Sequence, residues 1–547
     1  MYQPTSTSNG TASNGTTSNG NPAEEPSQAS LELGHREEPL VLGDVALSPD
    51  TLWRFSLSAL NPRKRFRIDY SGQTLARVRE AAELLEKMVA AEEPVYGVNT
   101  GFGHFANVAI APEKIVALQK NIVRSHCAGV GEPLPRDLVM AMCLIGLNTI
   151  CRGNSGVRVE TLRAVTHLVE SGVLGIVPCQ GSVGASGDLA PGAHVALAFL
   201  GEGECTMPIG GRFERVEART ALARLGVQPL ELGPKEGLSL INGTHLSTAL
   251  AVKAWYEGTY LLKVANLAAA MTLDALGGDR MTCAAPTMRA HGHPGTIECG
   301  AELRYWLGES SQLSAKHRAT HWIQDPYSLR CVPQVHGAVW DELHTSATVL
   351  EREINAVTDN PLLFPDEQMV RYCGNFHAIY PARVSDRLAS AMATLANISE
   401  RRISQSMRAP RGHLPTFLVK DGGLNSGFMM AHVSAAALVS EAKSLSFPAS
   451  VDSIPTNVTQ EDHVSMGPVA GLKALRVIDN LRRVLAIELL TAAQALYLTR
   501  PTLAAPRIEE TYARIRHWVP PLDEDRVLTD DIETITEKLA GHKVPVQ

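Results

Sequence analysis

Residues 472–489 read LKALRVIDNLRRVLAIEL, and Leu472, Leu475, Ile478, Leu481, Leu485 and Leu489 recur every three or four positions with Lys and Arg among them. That spacing follows the 3.6-residue turn of an α-helix, so one apolar stripe faces a core while the charges face away from it. A second stripe steps through Val384, Leu388, Met392, Leu395 and Ile398. Two long amphipathic helices are predicted, and ordinary core packing accounts for their leucines. Pro501 gives the later helix its stop, because proline has no N–H with which to continue the helical ladder. Alternating strand patterns are few and short. The expected fold is therefore mainly α, with small sheets in the first third.

The chain has 547 residues, of which 44% are apolar and 20% charged, which excludes a fibrous or wholly disordered protein. Fifty basic residues against 57 acidic ones leave a formal charge of −7, and such a balance disfavours nucleic acid as the main partner. Nine scattered cysteines contain no Cys-x-x-Cys pair and read as reduced thiols. The longest apolar run, Val484 to Leu498, is interrupted by Glu488 and Gln494, so a buried helix is expected there rather than a membrane span. With no signal-peptide pattern at the N-terminus, the expected compartment is the cytoplasm. Residues 1–30 form a Ser/Thr/Asn/Gly-rich leader with little to bury. An N-terminal domain is expected over 31–260, followed by the long-helix bundle and C-terminal helices over 261–547.

One segment breaks the helical pattern: Gly181-Ser182-Val183-Gly184-Ala185-Ser186-Gly187-Asp188-Leu189-Ala190-Pro191-Gly192. Its glycines permit unusual backbone angles and close approach of chain to chain. A phosphate loop is one reading, although neither the dinucleotide spacing nor the P-loop Lys is present. A turn leading into a helix, with Asp188 as its N-cap, is another. The third is chemical. In a tightly bent loop the Gly187 amide nitrogen can be pressed onto the Ala185 carbonyl carbon, and dehydration of that adduct and of the Ser186 side chain would leave a five-membered ring with an exocyclic methylene, a strong electrophile.

Further motifs flank this loop: Tyr96-Gly97-Val98-Asn99-Thr100-Gly101-Phe102-Gly103, Arg124-Ser125-His126, Lys235-Glu236-Gly237, Ile241-Asn242-Gly243-Thr244, Gln324-Asp325-Pro326-Tyr327-Ser328-Leu329-Arg330, Asp359-Asn360-Pro361, Gly374-Asn375-Phe376-His377 and Gln460-Glu461-Asp462-His463. With them the sequence resembles the aromatic amino acid ammonia-lyase family from about residue 90 to about residue 500. The resemblance implies the long-helix bundle of the ammonia-lyase and fumarase type, with small β elements near the active-site loops. It implies that Ala185, Ser186 and Gly187 form 4-methylideneimidazole-5-one (MIO) autocatalytically, with no separate cofactor and no metal. It also implies a homotetramer whose active sites are shared between subunits.

The resemblance assigns roles residue by residue. Tyr96 is the implied base for the β-proton, and a tyrosine with a pKa near 10 needs electrostatic help for that task. Arg330 is implied to hold the substrate carboxylate, which a planar guanidinium matches in two-pronged fashion. Tyr327, three residues earlier, would share its side of a helical turn. Asn242 and Gln324 would hold the ring or the departing amine without adding charge, and Phe376 would pack on the electrophile or the substrate.

Members of the family act on histidine, tyrosine or phenylalanine. Glu461 argues for histidine, because a carboxylate can accept a hydrogen bond from an imidazole N–H, whereas beside a phenyl ring it would be buried without a partner. His126 fits the same reading and also occurs in enzymes acting on tyrosine. The expected reaction is elimination of ammonia from L-histidine to give trans-urocanate. The alternatives are a tyrosine or phenylalanine lyase, an aminomutase, and a non-catalytic helical assembly protein. Gly192, His245 and Cys373 depart from the family pattern, and Gly192 is expected to loosen the ring-forming turn. His291 and His293 lack the company of a metal site and are expected to be loop residues.

Overall fold

Both apolar stripes lie on helices of unusual length: Ile379–Arg408, of 30 residues, and Gly467–Leu498, of 32. Leu481, Leu485 and Leu489 are fully buried, as are Leu388, Met392 and Leu395, and the helix ahead of Pro501 ends at Leu498. The computed structural model describes residues 39–64, 66–317 (with only the backbone of 317), 323–408 and 413–546. The leader expected at 1–30 lies outside the described residues.

A third long helix, His245–Ala275, packs against both stripes. It carries Ala, Leu and Val on most faces and is buried except along a narrow strip of Lys253, Trp255, Tyr256, Thr259 and Lys263, too little of a polar side for periodicity to stand out. It runs without a break through residue 260.

Polar groups tie the three helices together at their centre. Arg402 grips Glu488 with two nitrogens, Nε to Oε1 at 2.5 Å and Nη2 to Oε2 at 2.9 Å, and both side chains are 0% exposed. Thr272 and Ser399 donate hydroxyl hydrogen bonds to the same carboxylate at 3.1 and 2.5 Å. Glu488, the charge that interrupts the 484–498 run, is thus a paired core residue. Among the described residues no helix is long and apolar enough to cross a membrane.

Four small sheets surround the helices among the described residues. Leu40–Val41 pairs in parallel with Ile68–Asp69, and Val130–Pro133 pairs antiparallel with Pro178–Gln180. Leu174–Gly175, Glu204–Ile209 and Arg212–Glu217 form an antiparallel three-stranded sheet. Its hairpin closes on Gly210 and Gly211, both at positive φ, as a tight two-residue turn requires. The fourth, Leu362–Phe364 with Met369–Arg371, and the Glu204–Ile209 and Arg212–Glu217 hairpin of the third fall outside the first third, where the sheets were expected. Pro178–Gln180 delivers the chain to the glycine-rich loop, and helix Leu189–Phe199 carries it away.

Candidate active site

The loop's shape is set by a contact between two backbones. Gly187, at φ +75°, forms a parallel bridge with Gly243, and the Asp188 amide donates to the Gly243 carbonyl at 2.7 Å. A Cβ on Gly187 would stand 2.3 Å from that carbonyl oxygen, so only glycine fits. Asp188 precedes the helix as the N-cap reading expected, but its carboxylate does not cap the first turn. It reaches instead to the start of the His245–Ala275 helix, accepting from the Ser247 amide at 2.7 Å and the Ser247 hydroxyl at 3.0 Å. Burial pushes this carboxyl up to about 6. On the other side the Met466 amide donates to the Val183 carbonyl at 2.8 Å, and the Ser465 hydroxyl donates to the Gly184 carbonyl at 3.2 Å. The loop is clamped from two directions.

Beneath it lies a buried polar chain that unites three of the quoted motifs. Lys235 Nζ meets Asp359 Oδ2 at 2.6 Å with neither side chain exposed, and also donates to Ser239 Oγ at 2.8 Å. Asn360, next to Asp359, receives the Asn242 Nδ2 hydrogen bond on its carbonyl at 2.9 Å. Asn242 Oδ1 is buried with no protein partner. The role of Asp359 and Asn360 in holding Asn242 was not read from the sequence, although their motif was visible there; only the fold brings the two segments together.

Glu461 stands over the loop. Ser186 Oγ donates to its Oε1 at 2.7 Å, while Thr456 Oγ1 donates to Oε2 at 2.6 Å. The charge of Glu461 is felt by Tyr96 and His126, which brings four of the sequence-predicted residues into one cluster. Tyr96 accepts from the Gly103 amide at 3.0 Å and lies edge-on to Phe102. Burial pushes the Tyr96 hydroxyl up, away from what a base near neutrality needs, and Glu461 adds to that. His126 ends the helix Ile115–His126, and its Nδ1 lies 2.8 Å from the Ile122 carbonyl, which can only accept. Nδ1 therefore carries the proton and Nε2 is bare. Burial holds His126 below the ordinary imidazole pKa, the neutral form. Phe376 is half-buried in the turn before Ile379–Arg408, and Ala378 of that turn lies beside Gly184.

Gln324, Tyr327 and Arg330 lie elsewhere in this chain. Tyr327–Arg330 is a helical turn, as their spacing predicts, with the guanidinium 4.7 Å from the Tyr327 ring centre. It packs against helices Val332–Ile354 and Ile379–Arg408. Tyr327 is 70% exposed, Gln324 is exposed, and Arg330 Nε is buried without a partner. Among the described residues no hydrogen bond or ring contact joins these three to Ser186. His291 donates to or accepts from Thr296 at 3.1 Å, and no group of three metal-ligating side chains occurs among the described residues. A short strand does precede the glycine loop, as a phosphate site would have it, but the Asp188 amide that could face a phosphate is already bound to Gly243.

Residues 57–517 match the model of a family described as aromatic amino acid lyase. The chain belongs to the aromatic amino acid lyase family. A relative in it, a histidine ammonia-lyase from Anaeromyxobacter sp. (strain K), is 49% identical over 465 residues, 84% of this chain and 91% of the relative. The crystal structure of histidine ammonia-lyase from Trypanosoma cruzi superposes with a TM-score of 0.83 at 40% identity, covering 93% of this chain and 94% of that one. A tyrosine aminomutase from Streptomyces globisporus superposes with a TM-score of 0.86 at 33% identity, covering 93% and 98%.

The three positions noted as departures from the family pattern have distinct surroundings in this lyase. A Cβ on Gly192 would meet the Ile241 Cα at 2.8 Å and its carbonyl oxygen at 2.9 Å. The glycine therefore draws helices Leu189–Phe199 and Glu236–Ile241 together, the reverse of the loosening expected from sequence. His245 is buried beside Gly243 with its Nε2 unpartnered, and burial pulls its pKa down to about 4. The Cys373 amide donates to Asn360 Oδ1 at 2.8 Å, and burial raises its thiol above the ordinary value, which lowers its reactivity.

Proposed function

We propose that this lyase eliminates ammonia from L-histidine to give trans-urocanate, as a cytoplasmic enzyme without a metal. The observation that carries the reading is the 2.7 Å hydrogen bond from Ser186 to Glu461: it sets the carboxylate suited to an imidazole against the residue that would supply the electrophile. The residues also fit an MIO group made from Ala185, Ser186 and Gly187. Gly187 lies where no side chain could, in the left-handed conformation that glycine adopts without strain, and its backbone is pressed against that of Gly243. Once formed, the group supplies an electrophilic carbon that turns the amine into a better leaving group.

The chain's own side chains divide the remaining work. Glu461 accepts from the substrate imidazole, and the bare Nε2 of His126 is a second acceptor within its field. Tyr96 takes the β-proton, and because burial disfavours its anion, it needs a cation nearby in the assembled site. Arg330 binds the carboxylate and supplies that cation, with Tyr327 and Gln324 beside it. The exposure of Tyr327 and Gln324, and the lack of any hydrogen bond or ring contact between these three and Ser186 among the described residues, support a homotetramer in which another subunit contributes them. Phe376 closes the pocket against the ring.

The test is a substrate screen joined to a mass measurement. The purified chain is expected to weigh two waters less than its sequence, and with histidine, tyrosine or phenylalanine supplied in turn, the absorbance of the conjugated acid should grow with histidine. Full mass, or growth with tyrosine alone, would refute the reading. Glu461→Gln should cost turnover of histidine at least ~100-fold more than any turnover of phenylalanine, the scale on which a site loses a substrate whose polar group it was built to pair.

A further inference from the structure

The turn carrying Phe376 and the segment carrying Glu461 meet at two imidazoles with no role so far. His377 Nε2 lies 3.3 Å from His463 Nδ1 and 3.3 Å from the His463 carbonyl oxygen. The ring centres are 5.4 Å apart and the planes 20° from parallel. Nitrogens so close between centres so far apart mean that the rings meet edge to edge, nitrogen facing nitrogen. The carbonyl can only accept, so His377 Nε2 carries a proton shared between that oxygen and His463 Nδ1, which must then be bare. Both tautomers follow from this one contact.

What the pair joins gives it consequence. On one side, Ala378 lies beside Gly184, and Phe376 precedes His377. On the other, Glu461 is two residues before His463, Val464 belongs to the apolar cluster against which Ala185 packs, and the Ser465 hydroxyl donates to the Gly184 carbonyl. The link therefore spans the two walls beside Ser186. A proton added to His463 Nδ1 would set one N–H against another; turning His377 to its other tautomer would set its bare nitrogen against the carbonyl oxygen. A protonated pair can keep its N–H···N hydrogen bond only by turning that bare nitrogen onto the carbonyl, so it gives up the hydrogen bond that the neutral pair makes there.

We propose that His377 and His463 are positioning residues, a neutral imidazole pair that locks the Glu461 segment to the Phe376 turn, and that a proton on the pair releases the lock and weakens capture of the substrate ring. The inference rests on the reading of Glu461 given above. Burial holds His377 below the ordinary imidazole value, the hydrogen bond to the His463 carbonyl opposes this, and a charge on His463 adds to it. The acids nearest in sequence to His463 are Glu461 and Asp462; the oxygens of Glu461 are engaged by Ser186 and Thr456, and Asp462 is exposed.

The test uses the full-length enzyme and its pH profile. His377→Gln keeps an N–H donor near the Nε2 position, and His463→Asn keeps an oxygen acceptor near the Nδ1 position, but neither titrates. Each should hold kcat/KM for histidine within ~3-fold of the unmodified enzyme at about pH 8, and each should lose less of it on moving to about pH 5.5, by at least ~3-fold, because the imidazole charge change falls in that window. Comparison on one substrate cancels the titration of histidine itself. His377→Ala should raise KM ~10-fold with a smaller change in kcat, as expected when ground-state and transition-state binding weaken together. Acid limbs that superimpose for the unmodified and Gln or Asn enzymes would overturn the proposal, as would an unchanged KM in His377→Ala. Glu461→Gln measured alongside separates the two readings: if it leaves histidine turnover intact, the assignment of Glu461 fails; if it abolishes turnover while the imidazole variants behave as unmodified enzyme, only the pair's role fails.

Discussion

At Gly187 a single missing atom decides what the loop can become. A methyl group there would stand 2.3 Å from a backbone oxygen, and backbone cannot step aside as a flexible side chain can. Gly187→Ala should therefore give a folded protein of full mass that does not turn over, checked by intact mass and circular dichroism together. Asp188 makes a pH prediction. Its carboxyl is raised from 3.8 to about 6, so between those values the folded chain holds a proton that the unfolded chain has released. The folded state binds more protons, and this group's contribution to stability falls as pH rises through that window. In Asp188→Asn the corresponding part of the pH dependence, on the order of a few kcal/mol, should be missing from denaturant midpoints measured at about pH 4 and about pH 7. The sequence pointed to Ser186, Glu461, His126 and Tyr96 as members of one site. It did not disclose that Gly243 touches Gly187, since closeness of two backbones leaves no mark on either segment beyond a glycine.

Among elements, the helices with an apolar stripe and a polar back were legible, and Pro501 marked the end of one of them within a few residues. His245–Ala275 was not, because a helix buried over all but a narrow strip has little to alternate. The buried charges were equally silent: Lys235 and Asp359 look like surface residues until the fold removes both from water. Removing one partner of such a pair leaves the other charge stranded. Lys235→Met should cost about 3–5 kcal/mol in denaturant unfolding, with much of that recovered in Lys235→Met/Asp359→Leu. If the single and double variants lose the same amount, the interaction between the two side chains is not what the fold depends on. Because Asp359 continues into Asn360, which holds Asn242, the single variant is also expected to lower the fraction of chains that lose two waters.

Across the whole molecule, the residues argued to bind the substrate carboxylate lie apart from those argued to bind its ring. A site shared between subunits makes that separation useful and testable. Ser186→Ala and Arg330→Ala should each be inactive alone, yet co-expressed chains that assemble together should recover activity, since some sites then receive an intact residue from each variant. No recovery in mixed assemblies, verified by tagging one variant, would place both residues in the same subunit's site. The Gly187–Gly243 bridge has a further consequence at this scale. The two glycines belong to distant stretches of chain, and beside their bridge the Asp188 carboxylate is docked on Ser247. If the proposed group forms, a nascent or misfolded chain has three ordinary amino acids where the finished protein would have its reagent, and reactivity would switch on only after correct tertiary structure is reached. Each working molecule would carry in its covalent structure a permanent record that it had folded.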